Sequence, residues 1–294
     1  MTSQNKLFGF VSLLSVGCIL SFFGLFSRIL SSYTGNPMQL FLRAFFITLI
    51  ITPYILSKRK TINLPKGKPL PFFVFLVSFP LYILFFTISV NTIKVANAFF
   101  YIFISTTITS YVIGNIYFKE KITKREIIAS LLLLAGLFLF AFPFTFLHSA
   151  VGILAGIFGG ILSGISNATR KFYDGKINRW FTIFLQMLVG TVIGAALALF
   201  THGTQIINWN LYASVILFLF VILNVAAQYL LFVGLKNFDL NLSSVVLASQ
   251  LLFVLLVGAI FLKELPTTTE LLASIIVLTA IILSKVNVPM LKLS

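Results

Sequence analysis

The most constraining feature of this sequence is a succession of apolar runs, each about as long as a membrane span. A helix needs roughly 20 mainly apolar residues to cross about 30 Å of hydrocarbon, and the first run extends from Leu7 to Phe26. Only 9% of the residues are charged, whereas soluble domains carry about a quarter. The sequence therefore predicts an integral membrane protein and excludes a soluble domain.

Ten such runs lie between charged or turn-rich breaks. Backbone polar groups in hydrocarbon must bond within their own segment, which predicts helices, and the strict apolar–polar alternation of a membrane β-barrel is absent. We therefore predict an all-α integral membrane protein with ten transmembrane helices. The predicted spans are residues 7–28, 38–57, 71–91, 95–117, 126–147, 149–168, 181–200, 212–235, 242–262 and 268–287.

The second half of the sequence repeats the first. The segments KEKITKREIIAS at 119–130 and KELPTTTELLAS at 263–274 are identical at six of twelve positions. Each segment leads into the last helix of a group of five. We therefore predict two five-helix repeats, residues 1–147 and 148–294.

The number of helices in each repeat and the placement of positive charge together predict the orientation. Because five is odd, the second repeat begins on the opposite side of the membrane and is inverted relative to the first. Lys and Arg are favoured in cytoplasmic loops. With the N-terminus in the cytoplasm, 17 of these cations fall in inside segments and three at outside ends. We expect a multi-pass protein of the cell (inner) membrane with both termini cytoplasmic.

The two repeated segments also contain a helix-start pattern. Thr123–Glu126 and Thr267–Glu270 both read T-x-x-E ahead of an apolar run, which is typical of a capping box. Glu120 and Glu264 have no such explanation, because each follows the end of a helix, where the helix dipole disfavours an anion.

The architecture and these motifs resemble a known family. Phe118-Lys119-Glu120 with Thr123, and Phe261-Leu262-Lys263-Glu264 with Thr267, are similar to the segments that close each repeat of EamA-like transporters, in the drug/metabolite transporter superfamily. The resemblance covers nearly the whole chain. It implies ten helices in two inverted repeats and transport of small metabolites, amino acids or drugs, often outward.

Polar side chains inside the spans are the candidate substrate-binding residues. Inverted repeats enclose a site near the midplane at their interface, and polar groups in a bilayer are costly. Asn224 and Gln228 lie at i, i+4 on one face of a helix. The predicted set is Arg43, Tyr82, Tyr101, Thr106, Asn224, Gln228 and Gln250. The alternative for the three amides is that they only tie helices together by interhelical hydrogen bonds.

Arg43 is the one cation that this reading places clearly inside a span, about 9 Å below Pro37 at 1.5 Å per residue. It either contacts a substrate carboxylate or snorkels to the headgroups. Gln186 is its repeat counterpart, and Arg28 is the counterpart of Arg170.

Small residues predict a packing surface. Gly152, Gly156, Gly160 and Gly164 form successive G-x-x-x-G steps, which allow helix backbones to approach closely. Pro80, in the middle of the third span, predicts a kink there.

The sequence favours transport over catalysis. All six acids and both histidines fall at span ends or in loops, and no phosphate loop, metal-spaced cluster or triad is present. We therefore expect a facilitator or exchanger working by alternating access, not an enzyme, with no cofactor and no metal. The expected partners are a small-molecule substrate and the lipid bilayer, without nucleic acid, as a monomer or homodimer. The alternatives are a structural or regulatory membrane protein and a lipid-modifying enzyme.

Overall fold

The computed structural model describes residues 3–58, 69–93, 95–120, 123–141, 150–201, 206–262 and 265–285. The helices of this part of the chain are α1 Ser3–Ser31, α2 Asn36–Lys58, α3 Pro69–Thr92, α4 Val95–Phe118, α5 Lys124–Ala141, α6 Ala150–Tyr173, α7 Arg179–Phe200, α8 Leu211–Asn237, α9 Leu240–Leu247, α10 Ser249–Val257 and α11 Thr268–Lys285. A π-helical segment, Gly258–Leu262, continues α10.

These helices form ten transmembrane spans, as predicted. Helices α9 and α10 and the π-helical segment follow one another and together form the ninth span, while α11 is the tenth. Eight stretches in the described residues are long and apolar enough to cross a membrane by length and composition. Large apolar side chains such as Leu56, Phe200 and Leu211 are exposed on the outer surface, where a bilayer would cover them.

Helices pack chiefly against partners from the other repeat. Helix α1 packs on α8, α3 on α6, α2 on α7 and α5 on α11. Exchanging the two repeats converts the α1–α8 pair into the α6–α3 pair and leaves the α2–α7 and α5–α11 pairs unchanged. The packing of α4 on α6 likewise corresponds to that of the ninth span on α1. This exchange is the expected signature of inverted repeats.

The glycine surface of α6 is confirmed as a close packing surface. A Cβ atom on Gly160 would collide with the carbonyl oxygen of Ile102 in α4, and one on Gly164 would lie 2.7 Å from Thr109 Cβ. The approach also lets Thr106 Oγ1 donate a 3.0 Å hydrogen bond to the carbonyl oxygen of Gly160. Only residues without a side chain permit this distance between α4 and α6.

Two of the predicted spans differ from the structure. Helix α6 continues to Tyr173 instead of ending at residue 168, because the charge of Arg170 does not end the helix but is buried inside the bundle. The ninth span is interrupted at Ala248, where the amide of Leu251 bonds back to the carbonyl of Ala248. No Gly or Pro marks that interruption in the sequence.

Both predicted capping boxes are present. Thr123 Oγ1 accepts a bond from the Glu126 amide, and Glu126 Oε2 accepts one from the Thr123 amide. Thr267 and Glu270 form the same reciprocal pair, with 2.8 Å between the Thr267 amide and Glu270 Oε2. Glu264, the other acid of that segment, lies outside the described residues.

We call the end of the bundle that holds the start of α1 and the end of α11 the terminal face, and the other end the opposite face. On the terminal face, Lys119 ends α4 with a positive φ of 50°, and the Glu120 amide bonds to the carbonyl of Gly114 at 3.1 Å. A residue in the left-handed conformation is a common end of a helix. The Glu120 carboxylate stays beside Gly114 of α4, where α4 meets the start of α9.

The Glu120 carboxylate then joins the two repeats. It accepts hydrogen bonds from the amides of Leu240, at 3.0 Å, and Asn241, at 3.1 Å, at the start of α9. Lys171 Nζ of α6 lies 2.7 Å from the same carboxylate. The anion that seemed misplaced after α4 therefore lies at the positive end of α9, where the dipole favours it.

The opposite face is also closed by contacts between the repeats. The amide of Ile207 donates to the carbonyl oxygen of Tyr33 at 2.9 Å, and the rings of Tyr33 and Trp209 meet edge to face, with 6.1 Å between centroids. The turn between α1 and α2 is thus held against the segment that precedes α8.

Candidate functional site

A cavity lies at the centre of the bundle, between the two repeats. Helices α1, α2, α3, α4, α6 and α8 and the ninth span all contribute to its walls. Its volume is about 60 Å³, which is room for a few water molecules and far below the roughly 300 Å³ of the smallest drug-sized ligand pockets. Aromatic rings form much of the lining, including those of Phe79, Phe86, Phe99 and Phe103.

Six of the seven predicted site residues line this one cavity. They are Arg43, Tyr82, Thr106, Asn224, Gln228 and Gln250.

Tyr101, the seventh, is not in the lining of this cavity. A Cβ atom on Gly156 would lie 2.9 Å from Tyr101 Cβ, so Tyr101 packs against α6. A separation of five positions along a helix corresponds to a rotation of about 140° beyond a full turn, so Tyr101 and Thr106 point in different directions.

The amides of α8 belong to a buried hydrogen-bond network. Gln228 Nε2 donates to Asn224 Oδ1 at 2.8 Å, and Gln228 Oε1 accepts from Arg170 Nη2 at 3.1 Å. The same Nη2 lies 3.2 Å from Gln186 Oε1, and Gln186 Nε2 donates to the carbonyl oxygen of Phe75. The network connects α8, α6, α7 and α3, so these residues both join helices and present polar atoms to the cavity.

Arg170 is the centre of this network and is fully buried. Its guanidinium carbon lies 4.1 Å from the ring centroid of Phe79 and 5.2 Å from that of Phe232. Its Nε and Nη1 atoms have no hydrogen-bond partner among the described residues. Three of the five N–H donors of a guanidinium are therefore unused.

Arg43 is a buried arginine of the first repeat that also lines the cavity. Its side chain is only 1% exposed, so it does not snorkel to the surface. Nη2 donates to Thr87 Oγ1 at 2.6 Å and Nε to the carbonyl oxygen of Gln39 at 3.1 Å. The guanidinium carbon lies 4.4 Å from the ring centroid of Phe220 in α8.

Two further polar residues of the predicted set are held by backbone carbonyls. Gln250 Nε2 donates to the carbonyl oxygen of Leu20 in α1 at 2.9 Å, and Thr106 bonds to Gly160 as described. These two are repeat counterparts, and each ties a cavity-lining span to the first helix of the other repeat.

The sequence comparisons decide the family. The model of the EamA-like transporter family matches residues 7–142 and, a second time, residues 150–286. The chain belongs to the EamA-like transporter family. The members of this family are membrane transporters of the drug/metabolite type, and the double match agrees with the two repeats of the fold.

The structural comparison concerns the fold. One solved structure, described only as a crystal structure of a protein, matches 96% of this EamA-like chain and 96% of its own chain, with a TM-score of 0.73 and 15% sequence identity. At that identity the likeness shows the fold alone. Among curated proteins, none matches the sequence.

In this EamA-like transporter, the sequence analysis missed the contribution of α6. Ser163, Ser166, Asn167 and Arg170 all line the cavity. Their spacing of i, i+3, i+4 and i+7 places them on one helix face, which is the signal that could have found them. Because the sixth span was predicted to end at residue 168, Arg170 was assigned to a cytoplasmic loop. Arg43 is therefore not the one cation that lies inside a span.

Proposed function

We propose that this protein moves small metabolites, amino acids or drugs outward across the cell (inner) membrane by alternating access. The observation that carries the proposal is an aromatic cavity with convergent polar side chains that lies between two inverted repeats, which contact each other at both faces. A cavity of about 60 Å³ must widen before it holds a metabolite. Rocking of one repeat against the other would widen it towards one face at a time.

We assign substrate contact to the polar residues that line the cavity. Arg43 and Tyr82 come from the first repeat, and Asn224, Gln228 and Gln250 from the second, with Thr106 completing the set. Amide, hydroxyl and guanidinium groups offer both donors and acceptors in an otherwise aromatic enclosure. A few convergent polar groups in an apolar pocket are typical of small-molecule sites.

We further propose a facilitator or exchanger without proton coupling. Among the described residues, each acid lies in a turn or in the first turn of a helix: Glu120, Glu126, Asp174, Asp239 and Glu270. None lines the central cavity, so the substrate site supplies no carboxylate that could alternate between protonated and ionised forms during transport.

The experiment is solute uptake by purified protein in proteoliposomes. A panel of amino acids, nucleosides, organic acids, amines and drugs is tested for uptake down a gradient and for exchange against preloaded solute. We expect saturable uptake of one chemical class and no accumulation driven by a pH gradient at clamped voltage. Protein-free vesicles are the control. Uptake equal to theirs for every class would contradict the proposed transport, and pH-driven accumulation would contradict only the uncoupled mechanism.

A further inference from the structure

Two buried arginines line the same cavity. Arg43 is 1% exposed and Arg170 is 0% exposed. Arg43 lies in the part of α2 that is closer to the opposite face, and Arg170 in the last turns of α6, closer to the terminal face. Both side chains line the cavity together with Tyr82, so the two charges act on one enclosed space.

No carboxylate of the described residues neutralises either arginine. Glu120 instead pairs with Lys171, and Asp174 with Arg179 and Lys236, near the terminal face. A buried charge without a counter-ion is costly, because several kcal/mol of solvation are lost for each ion. Two such charges beside one cavity therefore need a compensating partner.

The protein's own groups satisfy these arginines only in part. The aromatic faces of Phe79, Phe232 and Phe220 stabilise the guanidinium planes by cation–π contact. Such contacts leave the N–H edges free for hydrogen bonds. The Nε and Nη1 atoms of Arg170 are buried without an acceptor in the described structure, although buried donors are bonded in the great majority of cases.

We infer that the transported solute is a small organic anion, whose carboxylate is bound by Arg43 and Arg170. This inference rests on the proposed transport function and names the class of its substrate. The carboxylate supplies both the missing negative charge and acceptors for the unused donors of Arg170, because charge-assisted bonds to guanidinium are the strong ones. The rings of Phe86, Phe99 and Phe103 enclose the uncharged body of the solute.

The cavity should therefore select by charge. An anion gains attraction to two cations in a medium of low dielectric constant, whereas an amide of the same shape gains only hydrogen bonds and an amine is repelled. Selection by charge distinguishes this site from an apolar drug pocket, which would favour the neutral or cationic member of each set.

The test uses matched triplets of probes. Phenylacetate, butyrate and hexanoate are each compared with the corresponding amide and with an amine of similar length. Binding to the purified protein is measured by the thermal shift in detergent and by calorimetry, and transport by uptake in proteoliposomes. We expect at least ten-fold tighter binding of the acids than of the amides, and no binding of the amines.

Substitutions of the two arginines test whether these residues bind the carboxylate. Arg43→Gln and Arg170→Gln should each weaken binding of the acids at least ten-fold and should weaken binding of the amides much less, because the amides lose only hydrogen bonds and no charge attraction. Arg170→Lys keeps the charge and should retain part of the affinity. Lys124→Gln removes one positive charge at an exposed position and should bind as the wild type does. If a glutamine variant does not fold, the triplets on the wild type and the lysine variant still decide the question.

The outcomes separate the two proposals. Equal or better binding and uptake of amides or amines would overturn the anion inference and leave transport in place. Acid binding that is unchanged in both glutamine variants would also overturn it. Uptake of none of the three charge classes would count against the proposed function itself.

Discussion

At the scale of single residues, the buried polar groups are one another's hydrogen-bond partners. Gln228 of α8 accepts a hydrogen bond from Arg170 and donates one to Asn224. Gln186 supplies a second acceptor from α7. These neutral amides orient the guanidinium without cancelling its charge, so the positive potential of the cavity is preserved.

Replacing Gln228 should therefore have opposite effects on stability, depending on the new side chain. Gln228→Leu removes an acceptor from a buried cation, and we expect the free energy of unfolding to fall by about 1–3 kcal/mol. Gln228→Glu gives Arg170 a built-in counter-ion, and the amide of Asn224 can turn to donate to it. We expect this variant to melt at a higher temperature than the wild type.

The same pair of variants also tests anion binding. A glutamate at this position occupies the site of the carboxylate, so Gln228→Glu should lose the thermal shift caused by organic acids. The measurement is the melting temperature in detergent, with and without acid, and Ile222→Leu at an exposed position of α8 is the control. A glutamate variant that is less stable than the leucine variant would show that Arg170 needs no anion.

At the scale of helices, close backbone contact determines how α6 meets α4. Ile102 of α4 occupies the space where a side chain at position 160 would begin. Gly24 in α1 differs, because a Cβ there would lie 3.4 Å from Val95 Cγ1, which is an ordinary contact. Glycines in this bundle are therefore not equivalent.

Replacement by alanine, the smallest possible change, should distinguish Gly160 from Gly24. Gly160→Ala adds one methyl group against backbone, and we expect a loss of about 1–3 kcal/mol, the usual cost of overpacking in soluble cores. Gly24→Ala should be tolerated. Thermal unfolding in detergent measures both, and a Gly160→Ala variant as stable as Gly24→Ala would contradict the contact between α6 and α4.

The bond between Glu120 and α9 should hold the terminal face closed. Glu120→Gln removes the ion pair with Lys171 and weakens the acceptor at the amides of Leu240 and Asn241. In a variant without Cys18, a cysteine introduced at the buried Ser244 of α9 reports on opening. We expect several-fold faster labelling of this cysteine by a small thiol reagent when Glu120 is replaced.

Asp174→Asn is the matched control for that experiment. Asp174 also forms ion pairs near the terminal face, but its partners Arg179 and Lys236 belong to the same repeat. This variant should label Ser244→Cys at the unmodified rate. Equal acceleration by both variants would mean that any loss of charge at this face loosens the bundle and that Glu120 has no special role.

The apolar runs and the charges of the sequence predicted the transmembrane helices, but they did not predict where a helix is interrupted. Apolar run length is enough to find a span, because the bilayer sets it. It could not predict that α6 carries Arg170 inside the bundle, since the partners of this cation come from α7 and α8. Tyr101 is not in the lining of the cavity, because closeness in sequence does not imply a shared face. The interruption at Ala248 follows from tertiary packing, without a local signal.

At the scale of the whole molecule, the inverted repeats relate the two ends of the bundle. Moving Arg170 from the inside loops to the interior leaves 16 inside cations against three outside. The asymmetry still favours a terminal face in the cytoplasm. Lys124 and Thr268 occupy equivalent positions in the two repeats and must then lie on opposite sides of the membrane.

Cysteine labelling tests this orientation. Single cysteines at positions 124 and 268, in a variant without Cys18, are exposed to an impermeant thiol reagent in intact cells. We expect Thr268→Cys to react and Lys124→Cys to react only after the cells are permeabilised. The reverse pattern would place the terminal face outside, and equal reaction of both in intact cells would be incompatible with inverted repeats.

The pairing of helices across the repeats has a consequence for how the protein is made. Helix α1 ends at Ser31, but its main partner, α8, begins only at Leu211. At a synthesis rate of about 5–20 residues per second, α1 waits on the order of ten seconds or more in the bilayer before that partner emerges. The first repeat therefore completes its insertion well before it can complete its packing. A ribosome that stalls between the repeats leaves five helices whose contact surfaces have no partners, and such a fragment is a natural substrate for membrane quality control.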